Sequence, residues 1–213
     1  MENNQAPQVG TQTSTATAPG LAPLVLASAS PRRAEILRIV GWPFVVRVAD
    51  VDESRIVGEG AVDYVQRLAR EKAVTVAAAS SGLVLGADTV VVIDGLVLGK
   101  PVDDEDARRM LKLLSGKWHE VLTGVALVDA ADGREAVACE RTRVRFAALS
   151  DEEMTWYVAG GEPLDKAGAY AVQGQAALFI KAVEGDHWNV VGLPIQLVYK
   201  LALRFDRGTD VRC

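Results

Sequence analysis

Two arginines, Arg32 and Arg33, follow Ser30 and Pro31 at the predicted start of a helix. The amide end of a helix carries partial positive charge, so cations are disfavoured there and anions are favoured. A bound anion reverses the penalty, because helix amides and forked guanidinium groups then face the same negative charge. This stretch therefore predicts an anion site, and phosphate is an anion that arginine binds well.

Two lysines could add positive charge to such a site. Lys72 falls in the middle of the apolar face of a helix predicted over residues 61–79. Its stem could lie on apolar surface with its head in water, or its ammonium could point into a cleft. Lys100 lies in GLVLGKP, which is no P-loop, because three residues separate the glycines and Pro101 follows the lysine. Lys100 could still bind phosphate as a point charge, or it could be a solvated surface residue.

Two short apolar runs, LVLAS at residues 24–28 and LVLGAD at residues 83–88, each end in small residues and then a polar group. Such continuous apolar runs suit parallel strands that are buried on both faces. Ligands of open α/β sheets bind at the carboxyl edge of these strands. If the two strands are neighbours, Ser28, Ser30 and Asp88 meet at that edge. Alternatively, the serines only shape the turn and cap the helix, and Asp88 only starts a turn.

The charged residues together are typical of a polyphosphate site that works with Mg²⁺. Carboxylates are available at Asp88 and in DVDES, residues 50–54. Magnesium is usually held by one or two carboxylates together with phosphate oxygens and waters. The two cysteines stand in no motif, so the chain has too few cysteines for a disulfide framework. The two histidines are far apart, which makes a transition-metal site improbable.

The composition excludes several classes of protein. The chain has 213 residues and a formal net charge of −5, whereas nucleic-acid-binding proteins usually carry a basic surplus. No apolar run approaches the roughly 18 residues of a transmembrane helix, and the N-terminus does not resemble a secretory signal. We therefore expect a cytoplasmic protein with no membrane or nucleic-acid partner.

The elements that must position these residues mix strands, helices and hairpins. Residues 1–22 are small and polar and predict a disordered tail, which leaves residues 23–213 as the folded domain. Residues 83–101 predict strand, break, strand, hairpin and strand, and residues 167–183 predict a strand rich in small residues. The order predicts an α/β fold around a mixed, twisted sheet with flanking helices.

Seven motifs along the chain resemble the Maf family of nucleoside triphosphate pyrophosphatases. In order they are SASPRRAEIL, RLAREKA, GADTVV, GKP, PLDKAGAY, VQGQAALFI and NVVGLP. The resemblance implies hydrolysis between the α and β phosphates of a nucleoside triphosphate with a divalent cation, Mg²⁺ or Mn²⁺. It also implies an elongated, two-lobed fold with a central cleft, similar to the inosine triphosphatase fold, and a homodimer.

The resemblance also implies the catalytic residues. Asp88 matches the general base proposed for the family. Glu53, Lys72 and Lys100 match its other acidic and basic site residues. Asp88 and Glu53 are the residues that would hold the divalent metal.

A second group of residues matches the family's substrate-binding positions. Ser28 and Arg33 match the phosphate-binding loop, whereas Arg32, Thr89 and Gln173 match positions that separate subfamilies. The threonine after the GAD aspartate and the glutamine before a glycine resemble the branch that acts on dTTP and UTP. A primary amide fits the N3–H and carbonyl edge of uracil or thymine, although it could pair with other bases too.

Two alternatives stay open at the level of sequence. The chain could act on a methylated purine triphosphate, as in the branch that resembles 7-methyl-GTP pyrophosphatases. It could instead be a non-catalytic regulator of septum formation and cell division. A comparison of turnover across a nucleotide panel separates the first alternative from a dTTP/UTP pyrophosphatase. Capture of a division protein by a catalytically dead variant would support the second.

Overall fold

The computed structural model describes residues 21–206, which form a seven-stranded mixed sheet and six α-helices. The strands are β1 (Leu24–Leu26), β2 (Phe44–Val46), β3 (Leu83–Ile93), β4 (Leu96–Leu98), β5 (Trp118–Asp129), β6 (Glu135–Phe146) and β7 (Ile180–Glu184). The helices are α1 (Pro31–Ile39), α2 (Ala61–Ala77), α3 (Asp104–Leu114), α4 (Asp151–Ala159), α5 (His187–Val191) and α6 (Ile195–Asp206). The predicted disordered tail, apart from its last two residues, lies outside the described residues. Within residues 21–206, none of the helices is long and apolar enough to span a membrane.

The strand order β2-β1-β3-β5-β6-β7 combines a parallel and an antiparallel part. β1 runs parallel to both of its neighbours, and Leu24 and Leu26 pair with Leu83 and Leu85 of β3. Beyond β3, each strand runs antiparallel to the next. The predicted mixed α/β sheet and the parallel pairing of the two apolar runs are therefore confirmed.

The predicted break in the strand around Gly86 is wrong, because β3 runs without interruption from Leu83 to Ile93. β5 pairs with it in antiparallel register from Leu83 to Val92. A Cβ at Gly86 would lie 2.0 Å from the backbone oxygen of Ala69 in α2. The glycine is thus a place where a helix approaches the strand closely, and not a place where the strand ends.

β1 and β4 share the second edge of β3 and leave a gap between them. β1 pairs with Leu83–Leu85 and β4 pairs with Val91–Ile93. Within the described part of the chain, no strand pairs with this edge along residues 86–90. Asp88 therefore lies inside a strand and not at the end of one, but it still lies at a sheet edge, because β1 has already ended. Thr89 lies beside it in the same gap.

Helices cover both faces of the sheet, and the side chains of β3 alternate between them. Val84 of β3 shares an apolar cluster with Ala69 and Ala73 of α2, on the face toward which Asp88 also points. The opposite face carries two apolar clusters. One joins α1 and α6 to the first half of β3, and the other joins α3 and α4 to its second half. The gap between β1 and β4 lies where these two clusters meet.

The predicted strand over residues 167–183 is wrong in its first part, because only β7 at its end is extended. Residues 162–178, called segment 162–178 below, instead contain three short 3₁₀ helices. Gly168 and Ala169 have positive φ values of 68° and 62°, which extended backbone does not allow. A Cβ at Gly168 would lie 2.6 Å from the side chain of Val91, so the segment packs directly on β3.

Candidate active site

A cavity of about 620 Å³ opens at the gap between β1 and β4. Every site residue predicted from the sequence lines it: Ser28, Arg32, Arg33, Glu53, Lys72, Asp88, Thr89, Lys100 and Gln173. These residues come from the β1–α1 turn and the start of α1, the loop after β2, helix α2, strand β3, the residues just after β4 and segment 162–178. The fold thus brings separate parts of the chain to one place.

Lys72 connects the two predicted catalytic carboxylates. Its Nζ lies 2.7 Å from Asp88 Oδ1 and 2.7 Å from Glu53 Oε1. The side chains of Lys72 and Asp88 are only 10% and 13% exposed, whereas that of Glu53 is 58% exposed. Lys72 therefore does not extend along apolar surface to bulk water, and its ammonium points into the cavity. Of the two interpretations of this lysine, the cleft interpretation is correct.

The charges around Glu53 favour its ionised form. Burial alone would raise the pKa of Glu53, but the hydrogen bond and charge of Lys72, with smaller contributions from Lys100 and Arg33, lower it overall. Lys100 itself is an exposed residue that faces the cavity. An ionised carboxylate and a cluster of cations therefore line the same wall.

Arg33 is buried and held by three hydrogen bonds. Its Nε donates to the backbone oxygen of Gly192 at 2.9 Å, Nη1 donates to Ser28 Oγ at 2.9 Å, and Nη2 donates to Thr89 Oγ1 at 3.1 Å. Burial lowers the pKa of Arg33, and the charge of Asp88 opposes this effect. A guanidinium has five N–H donors, so one N–H on each terminal nitrogen is left for hydrogen bonds to an anion such as phosphate.

Arg32 forms a different set of contacts from its neighbour, because successive residues on a helix point about 100° apart. It binds Asp165 twice, through Nη1 to Oδ2 at 2.8 Å and through Nη2 to the backbone oxygen at 3.2 Å. Burial raises the pKa of Asp165, but hydrogen bonds from Lys166 and Arg32 outweigh it and lower the value to about 2. The start of α1 and segment 162–178 are thus joined across the cavity.

The predicted cap at the start of α1 is only partly correct. Ser30 occupies the N-cap position before Pro31, but its side chain makes no capping hydrogen bond. Its backbone N–H instead donates to Ser28 Oγ at 3.2 Å, the same hydroxyl that Arg33 contacts. Ser28 therefore orders the phosphate-side turn, which is more than a turn-forming role.

Several cavity residues were not found from the sequence, among them Tyr64, Asp165 and Lys166. Asp165 and Lys166 lie in the motif PLDKAGAY, where they are the charged residues of a largely apolar stretch. Their residue types could therefore have marked them as candidate site residues. Tyr64 donates its hydroxyl to the backbone oxygen of Glu53 at 2.7 Å and so holds the acidic loop in place. No sequence signal distinguishes this tyrosine from a core residue.

The carboxylates fit a hard cation that is held largely by its substrate. Within residues 21–206, no group of three or more His, Cys, Asp or Glu side chains could hold a metal ion by itself. Asp88 and Glu53 are nevertheless close together, since both bind the same ammonium. Two carboxylates beside a phosphate site match the way in which Mg²⁺ usually binds, with waters and phosphate oxygens as its other ligands.

Comparison with known protein families identifies the family to which the chain belongs. The family model for Maf-like proteins matches residues 23–205. The chain belongs to the Maf family. The match includes every site residue predicted from the sequence, from Ser28 to Gln173. The Maf resemblance of the seven sequence motifs is therefore confirmed.

Curated Maf relatives match over most of their length. A dTTP/UTP pyrophosphatase of Symbiobacterium thermophilum is 54% identical over 183 residues, which cover 85% of this chain and 93% of the relative. A dTTP/UTP pyrophosphatase of Anaeromyxobacter dehalogenans is 56% identical over 174 residues, which cover 81% and 88%. Among solved structures, a HAM1 protein from Coxiella burnetii has a TM-score of 0.48 at 15% identity, covering 88% of this chain and 100% of that chain.

Proposed function

We propose that this chain hydrolyses nucleoside triphosphates, dTTP and UTP among them, between the α and β phosphates. The products are the nucleoside monophosphate and pyrophosphate. The observation that carries the proposal is the pair of carboxylates bridged by Lys72 in the same cavity as the partly free guanidinium of Arg33. The Maf relatives named dTTP/UTP pyrophosphatases support the choice of substrate.

The triphosphate binds at the start of α1. The two unused N–H groups of Arg33 donate to phosphate oxygens, and the amides at the helix start favour the same anion. Lys100, which also lines the cavity, adds a further point charge. These groups neutralise the charge that develops on the leaving pyrophosphate.

Asp88 is the general base. Lys72 binds its Oδ1, which leaves Oδ2 to accept a proton from the attacking water. The water oxygen bonds to the α phosphorus, the bond from that phosphorus to the bridging oxygen breaks, and pyrophosphate leaves with the electron pair. A divalent cation held by Asp88, Glu53 and the phosphates would supply further neutralisation of charge.

The nucleobase lies toward segment 162–178. Gln173 is exposed to the cavity there, and its amide can pair with the N3–H and a carbonyl of uracil or thymine. The other two predicted subfamily positions have different surroundings. Thr89 accepts a hydrogen bond from Arg33, next to the proposed phosphate site, whereas Arg32 binds Asp165 of segment 162–178.

A nucleotide panel tests the function directly. With Mg²⁺ or Mn²⁺ present, we expect pyrophosphate release from dTTP and UTP with a kcat/KM at least roughly tenfold above that for 7-methyl-GTP, dCTP and dGTP. Chelation of the metal should abolish release. A preference for 7-methyl-GTP would assign the chain to the other branch, and the absence of pyrophosphate release from every nucleotide would favour a non-catalytic regulator.

Arg33→Lys is expected to raise the KM for dTTP by roughly tenfold to a hundredfold, because lysine offers one point charge in place of a fork. The dissociation constant of pyrophosphate, measured by calorimetry, should rise in parallel. Arg38→Lys is the matched control, since Arg38 lies on the same helix, is 60% exposed and pairs only with Glu35 among the described ion pairs. An unchanged KM in Arg33→Lys would contradict the phosphate role.

The Maf resemblance also predicts a homodimer in the cytoplasm. Sedimentation equilibrium of the full chain measures its oligomeric state. A monomer at micromolar concentration would contradict the first part of this prediction.

A further inference from the structure

Glu162, at the start of segment 162–178, has a carboxylate with both oxygens engaged. Tyr157 of α4 donates its hydroxyl to Oε1 at 2.9 Å, and the backbone N–H of Gln175 donates to Oε2 at 2.9 Å. Tyr157 is fully buried, so one end of this bridge is fixed in the core. The other end is the turn that carries Gln173.

Gly174 shows how close the carboxylate lies to this turn. A Cβ at Gly174 would lie 2.3 Å from Glu162 Oε1 and 2.5 Å from Oε2. The carboxylate therefore packs directly on the backbone next to Gln173, and only glycine leaves room for it. The turn is closed further by a hydrogen bond from the N–H of Gly174 to the oxygen of Ala171, at 3.1 Å.

Glu162 also belongs to the connection that crosses the cavity. Lys166 donates from Nζ to the backbone oxygen of Glu162 at 2.7 Å and also binds Asp165. Asp165 in turn binds Arg32 at the start of α1. The backbone around Glu162 is thus tied to the phosphate side of the site, while its carboxylate holds the base side.

Gln173 depends on this support for its position. Its side chain is exposed in the cavity, and its backbone lies in a turn without strand pairing. Glu162 is not among the residues that line the cavity, whereas Gln173 is. The contacts of Glu162 therefore bear on the turn next to Gln173 and not on the cavity itself.

We infer that Glu162 is a positioning residue for nucleobase selection, which holds the Gln173 turn at a fixed distance from the triphosphate site. The inference rests on the proposed function. It assigns a role in selectivity to a residue that takes no part in the chemistry. It therefore separates recognition of the base from recognition of the phosphates.

Glu162→Ala tests this separation. We expect the KM for dTTP and UTP to rise about tenfold. This is the effect of losing one hydrogen bond of ordinary strength, here the one between Gln173 and the base. The preference for dTTP over dCTP and dGTP should fall by a similar factor, while kcat changes less than about twofold. Inorganic tripolyphosphate, which has no base, should inhibit the variant with an unchanged inhibition constant. Glu162→Gln should recover much of the selectivity, because its amide keeps an acceptor for Gln175 and a partner for Tyr157.

Glu153→Ala is the matched control. Glu153 lies on α4, the helix that carries Tyr157, and like Glu162 it accepts a backbone N–H, here from Ser150 at 2.7 Å. It belongs to the cap of that helix and has no contact with the Gln173 turn among the described hydrogen bonds. The Glu153→Ala variant should have a lower thermal stability but an unchanged preference for dTTP over dCTP and dGTP. If Glu162→Ala does not fold, Gly174→Ala serves as the second variant, since the added methyl group displaces the same carboxylate and should give the same kinetic signature.

Two results would overturn the inference. The first is unchanged selectivity in folded Glu162→Ala or Gly174→Ala. The second is a tripolyphosphate inhibition constant that rises together with the KM for dTTP, because Glu162 would then shape the whole cavity. A wild-type protein that releases no pyrophosphate from any nucleotide would overturn the proposed function itself, which is a different outcome.

Discussion

Asp88→Asn is expected to reduce kcat for dTTP by about 10²- to 10⁴-fold, the range over which general base catalysis usually acts. Asparagine has almost the same shape as aspartate but cannot accept the proton of the attacking water. Lys72 keeps Glu53 as an ionic partner in the variant, so the burial of the ammonium stays compensated. Arg33, the proposed phosphate ligand, is unchanged in the variant, so we expect the KM for dTTP to change much less than kcat.

The test is steady-state pyrophosphate release together with circular dichroism and thermal unfolding. Asp94→Asn is the matched control, because Asp94 follows the same strand, is 68% exposed and pairs only with Lys117 among the described ion pairs. Its φ of 50° is one that asparagine tolerates. Turnover of Asp88→Asn near the wild-type rate would show that Asp88 is not the base.

Gly86→Ala is expected to destabilise the protein by about 3 kcal/mol or more, at the upper end of what overpacking costs. The added Cβ would lie 2.0 Å from the oxygen of Ala69 and 2.9 Å from the nitrogen of Ala73, and both are backbone atoms of α2. The helix cannot rotate a side chain away, so it must move as a whole. Because Lys72 belongs to that helix, folded variant molecules should also lose activity.

Urea unfolding measures the loss of stability. Gly99→Ala provides the comparison, since a Cβ there would meet no atom within 4 Å. We expect its unfolding midpoint to stay close to that of the wild type. An equally unchanged midpoint for Gly86→Ala would contradict the close approach of α2 to β3.

The turn that carries the proposed phosphate-binding residues could be predicted from the sequence because its signals are local. Ser30-Pro31 marks a helix start, and the apolar run before it marks a buried strand. The partners of Lys72 could not be predicted in this way. Helical periodicity places this lysine on an apolar face, but only the folded chain shows that two carboxylates from other elements meet it there.

The base side of the site was predicted poorly, and the reason lies in the backbone. Small and apolar residues in segment 162–178 resemble a strand, but the positive φ values of Gly168 and Ala169 turn the chain out of extended geometry. The positive φ of an alanine cannot be recognised from its residue type, because packing and not the residue itself holds the backbone there. The bond between Arg32 and Asp165, 133 positions apart, is equally a product of the tertiary fold.

The unbroken β3 strand has a consequence for how substrate enters and product leaves. Asp88 belongs to an eleven-residue strand that pairs with β5 along most of its length, and such a strand opens only when much of the domain unfolds. The carboxylate of Asp88, the proposed general base, is therefore carried by a firmly held element of the fold. Two contacts at the cavity lie outside the sheet: the ion pair of Lys72 with the exposed Glu53, and the ion pair that joins Arg32 to Asp165. We therefore expect motion that admits substrate and releases product in these side-chain contacts and not in the sheet.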